Sequence, residues 1–452
     1  MAYNKKQALV ANISALDIAL KLRQENSSAT QLEKTQLENY SGFGGLRVIL
    51  KDEENIADWN KNEMELHPHV TMLWNTLKKY ARSDAEYWDM RKSVKNSVMT
   101  AFYTPERFLT ALREALSKVM ERPNKILEPS AGNGRFVRMF DKWEGNGKAD
   151  FTAFEKDIIT GTVLKALQSN AKVNINGFEN IPHTELGTYD MIISNIPFGD
   201  VKVYDPLMKE GVRKQATNKI HSYFFVKGLD ALREGGLLVY ITSRGVADSA
   251  TNRNVREYLM QNSNLISAIR LPDNLFANDG ISEIGTNLII LQKNSKKQEL
   301  SHDERDFIES DEWNIQEKEN EKLIVGMAAK NRYINSVARN GNFGSTNYDN
   351  FIGWPYSDTD QFGHMTMKYV EDDDWNIENS LSAIILRDFK DKYNKALLKE
   401  EIAQTIEEQP ELTLWDIFGL TEEERSQIKT SGKKKKRGEN NKLAHEIGRA
   451  HV

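Results

Sequence analysis

A chain without cysteine forms neither disulfides nor thiolate metal sites, and this sequence of 452 residues has none. A reducing cytoplasm is the simplest compartment for it. His67, His69, His183 and His221 lack metal-ligand spacing, so no metal is expected. No apolar run approaches the length of a membrane span, and Met1-Ala2-Tyr3-Asn4-Lys5-Lys6 leads into an amphipathic helix rather than a signal sequence. No membrane partner is therefore expected. No Gly-x-x-x-x-Gly-Lys-Ser/Thr loop is present, which excludes a P-loop motor core within the chain. The net charge of -5 leaves any nucleic-acid contact to a local basic face. There are no internal repeats.

What is present is a globular composition, with 39 % hydrophobic residues and length enough for two or three domains. Residues 8 to 39 carry helical spacing at Leu9, Ile13, Leu16 and Leu20, then Leu32 and Leu37 after a polar break. Tyr40-Ser41-Gly42-Phe43-Gly44-Gly45-Leu46 reads as a tight turn, or as a close backbone approach. Residues 60 to 98 look helical. Thr104-Pro105-Glu106 starts another helix that ends near Arg122-Pro123.

From there strands and helices alternate. Strands are predicted at 125–128, 151–155, 172–175, 189–194, 236–242, 264–270 and 286–292. Helices are predicted from 134 and over 158–169, 219–233 and 252–261. This order implies an α/β fold with a Rossmann-like sheet, its last two strands an antiparallel edge pair. Five segments follow from the patterning. They are an N-terminal helical region 1–99, the sheet domain 100–293, a charged linker 294–322, a small mixed C-terminal region 323–428 and a basic disordered tail 429–452.

Two strand ends carry chemistry. The first is Glu128-Pro129-Ser130-Ala131-Gly132-Asn133-Gly134-Arg135-Phe136. Gly132 and Gly134 leave room for a ligand before a helix, although the third glycine of the dinucleotide fingerprint is missing. Glu155, ending the next strand, is placed to accept two ribose hydroxyls. Phe178-Glu179, after the third strand, offers a ring and an acceptor to adenine, or is a plain loop.

The second is Asn195-Ile196-Pro197-Phe198. An amine on an aromatic ring is a poor nucleophile because its lone pair is delocalised. The Asn195 side-chain oxygen and the Ile196 carbonyl can hold both amine hydrogens and direct that lone pair at an electrophile. Pro197 stiffens the loop, and Phe198 offers a stacking face to a base taken out of its helix. Positioning and electrostatics replace a general base. Arg244, in Thr242-Ser243-Arg244-Gly245, reads as a phosphate contact or a plain surface charge.

Residues 98 to 293 resemble the N6-adenine DNA methyltransferases of the gamma order, type I and type IIG. Ala101-Phe102-Tyr103-Thr104-Pro105 is similar to the element preceding their cofactor loop, Glu128–Phe136 to that loop, and Asn195–Phe198 to their catalytic loop. Leu271-Pro272-Asp273-Asn274-Leu275-Phe276 and Gly285-Thr286-Asn287-Leu288 resemble late strands of type I modification subunits.

The resemblance implies a class I methyltransferase sheet. The cofactor would be S-adenosyl-L-methionine, held by Tyr103, Thr104, Glu128, Ser130, Gly132, Gly134, Glu155 and Glu179. The partner would be DNA, with the target adenine flipped out. The family's catalytic loop has proline where this chain has Ile196.

The whole pattern is most similar to the large methyltransferase–helicase proteins of conjugative elements and phages, which implies a downstream helicase module. Glu446-Ile447-Gly448-Arg449-Ala450-His451-Val452 resembles a translated sequencing adapter, so a truncated gene with a non-native end is expected. The basic run Lys433–Arg437 reads as a solvated linker or a phosphate contact. Two other readings stay open: a methyltransferase acting on another planar amine, such as RNA guanine N2 or protein glutamine, and a catalytically silent DNA-binding module.

Overall fold

Apolar runs of strand length, separated by amphipathic helices, build a seven-stranded sheet covered on both faces. A computed structural model describes residues 4–100, 103–145, 148–276, 285–311, 330–334, 350–359, 365–373 and 375–398. Residues 101 and 102, the apolar positions 412–418, the basic run and the adapter-like end lie outside the described residues.

In chain order the helices are α1 (Lys5–Glu25), α2 (Gln31–Leu37), α3 (His67–Tyr80), α4 (Asp84–Thr100), α5 (Glu106–Val119), α6 (Arg135–Asp141) and α7 (Ile158–Leu167). They continue as α8 (Gly211–Ala216), α9 (Ile220–Ala231), α10 (Gly245–Asp248), α11 (Arg253–Asn262), α12 (His302–Ile308) and α13 (Ile377–Lys392). The strands are β1 (Lys125–Glu128), β2 (Asp150–Phe154), β3 (Lys172–Asn174), β4 (Tyr189–Asn195), β5 (Leu232–Ser243), β6 (Ser263–Arg270) and β7 (Thr286–Lys293). A separate hairpin pairs β8 (Trp354–Thr359) with β9 (Met365–Val370).

The sheet order is β3-β2-β1-β4-β5-β7-β6. The pairs from β3 through β5 are parallel, and β7 is antiparallel to both β5 and β6. This is the class I methyltransferase sheet. The expected antiparallel pair is present, but only β6 lies at the edge. β7 runs inside the sheet, and its continuous apolar stretch Leu288–Leu291 is buried on both faces. The chain turns one way from β1 to β3 and the other way from β4 to β5. That reversal opens a crevice at the carboxyl ends of β1 and β4.

One face is filled by α9, α11 and α12, with Phe225, Val226, Leu259 and Phe307. The other is filled by α5, α6 and α13, with Leu112, Phe136, Leu381 and Ile385. The N-terminal helices share a third core with α7 through Ile159, Val163 and Leu167. Asn12 fixes the glycine turn behind them, donating to the Gly42 carbonyl at 2.5 Å and accepting from the Ser41 amide at 2.8 Å. Gly42 and Gly45 have φ of 69° and 73°, left-handed conformations that make 40–46 a structural turn.

The stretch 294–322 is not linker throughout. Its charged surface hides an apolar stripe, and Ser301 with Glu304 forms a capping box that starts α12. Glu304 also accepts from the Leu265 amide of β6 at 3.0 Å, and Lys297 pairs with it in a buried site. Phe307 is fully buried beneath Tyr333. Phe307→Ala is therefore expected to destabilise the fold by about 3–5 kcal/mol, measured as a lower urea midpoint. An unchanged midpoint would restore the linker reading.

Candidate active site

The glycine loop after β1 is pinned by its own backbone. The Ala131 amide donates to the Phe154 carbonyl at 2.8 Å, and Gly132 donates to Glu155 Oε2 at 2.8 Å. Gly132 has φ +53°, and a Cβ built there would stand 2.6 Å from the Tyr103 ring. Tyr103 and Thr104 are held from behind by Arg135, which donates to the Thr104 carbonyl at 2.8 Å. Asn133 donates to the Tyr40 carbonyl at 2.9 Å, so the N-terminal turn braces the same loop.

The second loop leaves β4 beside the first. Ser194 Oγ donates to the Ser130 carbonyl at 3.2 Å, which ties the two strand ends together. The Ile196 amide donates to the Ile241 carbonyl of β5 at 3.0 Å, and the Ile196 side chain is buried in the core. Isoleucine at this position is thus a core residue whose peptide stays at the site. Asn195, Pro197 and Phe198 are partly exposed.

These loops enclose a cavity of about 1070 Å³ at the crevice. Tyr103, Thr104, Glu128, Ser130, Gly132, Glu155, Glu179 and all of Asn195–Phe198 line it. Gly134 does not line it. With φ +77° it caps α6, and a Cβ there would meet Leu164 at 2.6 Å, so its glycine serves packing on α7. Phe178 touches the cavity, but its ring lies buried among Phe154, Tyr223 and Phe224. Glu179 stands near the rim, 3.0 Å from Lys156 Nζ. Arg244 does not line it either. Its guanidinium donates to the Met367 carbonyl of β9 at 3.1 Å, a structural contact rather than a free surface charge.

Several lining residues carry no signal in the sequence. Asp89, Lys92, Ser93, Asn96 and Ser97 wall the cavity from α4, far upstream of the motifs. Ser93 donates to Asp157, which caps α7 by accepting from the Thr160 amide at 2.8 Å. The N-cap role of an aspartate before Ile158 was legible; its contact with α4 was not.

Electrostatics set the cavity's character. Glu128 is buried, its Oε2 without a hydrogen-bond partner, and burial together with Glu155 holds its carboxyl well above the usual range. Burial and the nearby Asp157 raise Glu155 to about 7. Neither acid has an ion-pair partner among the described residues. Thr104 Oγ1 is also buried without a partner. Two acids awaiting a cation, an orphan hydroxyl and a glycine cradle fit S-adenosylmethionine, which carries a sulfonium, an ammonium and a ribose. Glu155 already accepts from Gly132 and, at 2.7 Å, from the Asp157 amide. Each of its oxygens keeps a further lone pair for a hydroxyl.

The sequence matches the N-6 DNA methylase family over residues 86–340. No curated protein matches the chain. Among solved structures it is similar to a protein from Listeria monocytogenes assigned as a class I S-adenosylmethionine-dependent methyltransferase. The two are 15 % identical, with 66 % of this chain and 91 % of that one covered and a TM-score of 0.39. The type I restriction-modification methyltransferase subunit from Streptococcus thermophilus is 16 % identical, covering 62 % of this chain and 65 % of that one at a TM-score of 0.38. A protein from Vibrio vulnificus, assigned as a modification subunit of a type I restriction enzyme, is 14 % identical. It covers 82 % of this chain and 91 % of that one at a TM-score of 0.38.

Two outcomes test the cavity. Gly132→Val should abolish S-adenosylmethionine binding in calorimetry, because the added atoms meet Tyr103 at a left-handed backbone position; unchanged affinity would refute the cradle. Glu155 gives a pH signature. The folded protein keeps its proton up to about pH 7, whereas the unfolded chain releases it near the ordinary 4.5, so the free fold loses stability as pH rises through that window. A cationic ligand favours the ionised acid, so binding below about pH 7 releases a proton. Affinity should rise from about pH 5.5 to about pH 7.5 and then level, while Glu155→Gln weakens binding and flattens the profile. A flat wild-type profile would remove Glu155 from the cofactor site.

Proposed function

This chain belongs to the N-6 DNA methylase family, and from that premise we propose that it methylates N6 of an adenine swung out of DNA, at the loop Asn195–Phe198. The observation that carries the reading is one cavity lined both by the acidic glycine loop and by Asn195–Phe198. Bound there, S-adenosylmethionine supplies an electrophilic methyl group. Glu128 would face its positive charge, Glu155 would accept from its ribose hydroxyls, and Gly132 with Tyr103 would leave room for it to approach. Thr104 and Ser130 would offer polar atoms beside it, and Glu179 would accept from its adenine amine.

The Asn195 side-chain oxygen and the Ile196 carbonyl accept hydrogen bonds from the two N–H groups of the target amine, and one of these protons leaves to water once the nitrogen has taken the methyl group from the sulfonium. Holding both favours a pyramidal nitrogen, and the lone pair is then directed into the cavity. Phe198 stacks on the target ring, and Pro197 keeps the loop from relaxing. Isoleucine in place of proline at 196 preserves the carbonyl, which is the atom this chemistry needs. The setting we favour is the cytoplasm, within a mobile-element methyltransferase that works with a helicase module and protects that element's DNA from restriction. No helix among the described residues is long and apolar enough to cross a membrane.

Tritiated methyl transfer to genomic DNA, total RNA and protein extract, with products resolved, tests the reading. N6-methyladenine in DNA is the expected product. Label confined to RNA or protein would redirect it to another planar amine. Asn195→Ala should reduce transfer at least about 100-fold, the size expected for losing one preorganised polar contact in the transition state, while leaving cofactor affinity within about twofold. Wild-type transfer by that variant would sink the catalytic assignment.

A further inference from the structure

The segment between β4 and α9 holds an arrangement that the proposed reaction does not yet use. Tyr204 is 81 % exposed, yet the backbone around it is firmly anchored. Its neighbour Asp205 accepts from Lys227 Nζ at 2.8 Å and from the Tyr223 hydroxyl at 2.9 Å, both on α9. Asp205 also accepts from the Leu207 amide at 2.8 Å. The Asp205 and Lys227 side chains are each only 1 % exposed. On the other side, the Val203 amide donates to the Thr217 carbonyl at 2.9 Å, and Met208 is buried in the core.

Taking two charges out of water is costly, and such a pair secures position more dependably than stability. Here the position secured is that of the backbone carrying Tyr204, whose side chain is left in solvent. Leaving that ring in water forgoes the gain of burying it, so it adds little to the stability of the free fold. Tyr204 lines the cavity with Asn195, Pro197 and Phe198. Lys202, on its N-terminal side, is exposed as well. An aromatic carried on anchored backbone beside a cavity that takes a planar base can serve as a stacking platform.

We propose that Tyr204 is a base-stacking residue, its ring receiving the face of the extruded nucleobase at the cavity mouth while Asp205, Lys227 and Tyr223 act as positioning residues. This rests on the DNA reading above. It adds a contact outside the Asn195–Phe198 loop, supplied by a segment with no motif of its own.

The test uses the full chain, S-adenosylmethionine, and genomic DNA in native and heat-denatured form. Tyr204→Ala should lower kcat/KM on native DNA by about tenfold or more, the range expected for losing one base–aromatic stack. Tyr204→Phe and Tyr204→Trp should stay within about threefold of wild type, because the ring and not the hydroxyl is used. On denatured DNA the loss should persist, since the base still has to be held against the ring in the transition state. Cofactor affinity and melting temperature should not move, as expected for a side chain in solvent. Wild-type rates for Tyr204→Ala on native DNA would overturn the proposal, as would an equal loss in Tyr204→Phe or the absence of any loss on denatured DNA. A wild-type chain that labels no DNA would overturn the proposed function, and this inference with it. Labelled DNA with an unaffected Tyr204→Ala would overturn this inference alone.

Discussion

Everything at the crevice depends on one constraint: two acids, Glu128 and Glu155, are buried at adjacent strand ends without cations to balance them. Buried charge is tolerated only when paired or neutralised. Burial raises both carboxyls, so each holds its proton to a higher pH than an exposed carboxylate would. The Gly132 amide bonded to Glu155 then makes the glycine loop follow the acid, and Tyr103 closes on the loop because glycine leaves it room.

The N-terminal helices belong to this logic. They bury apolar surface against α7, and Asn133 and Asp157 reach across to their turn and to α4. The wall they form is polar and comes from a segment far from the motifs. A parallel sheet leaves its strand ends open, so something must limit solvent there, and in this chain that role falls to α4. The loop after β4 meets a different need. It is fixed through Asp205 and α9, so the cavity has one side set by cofactor chemistry and another set by a buried ion pair.

Much of the fold was legible because α/β periodicity is local. Apolar runs of strand length, proline before α5 and glycine at loop turns give element positions that the structure moves by only a few residues. The misreadings have physical causes. β7 was read as an edge strand because an apolar run does not say on how many sides it is paired. Residues 302–308 were read as linker because charge dominates their composition, and the buried pair Lys297–Glu304 is charge that composition counts as surface. For Gly134 the sequence leaves the role open, because a left-handed glycine looks the same whether it faces a cavity or packs against Leu164.

The amino-acid sequence by itself determined the strand–helix order, the two loops and the residue types in them, since these follow from periodicity and from chemistry carried by consecutive residues. Only the tertiary structure decided which residues share the cavity. Residues 89 to 97, 128, 155, 195 and 204 meet because parallel strands place their carboxyl ends on one side of the sheet and the order reverses between β1 and β4. Proximity of that kind comes from crossovers and packing, which no local pattern encodes.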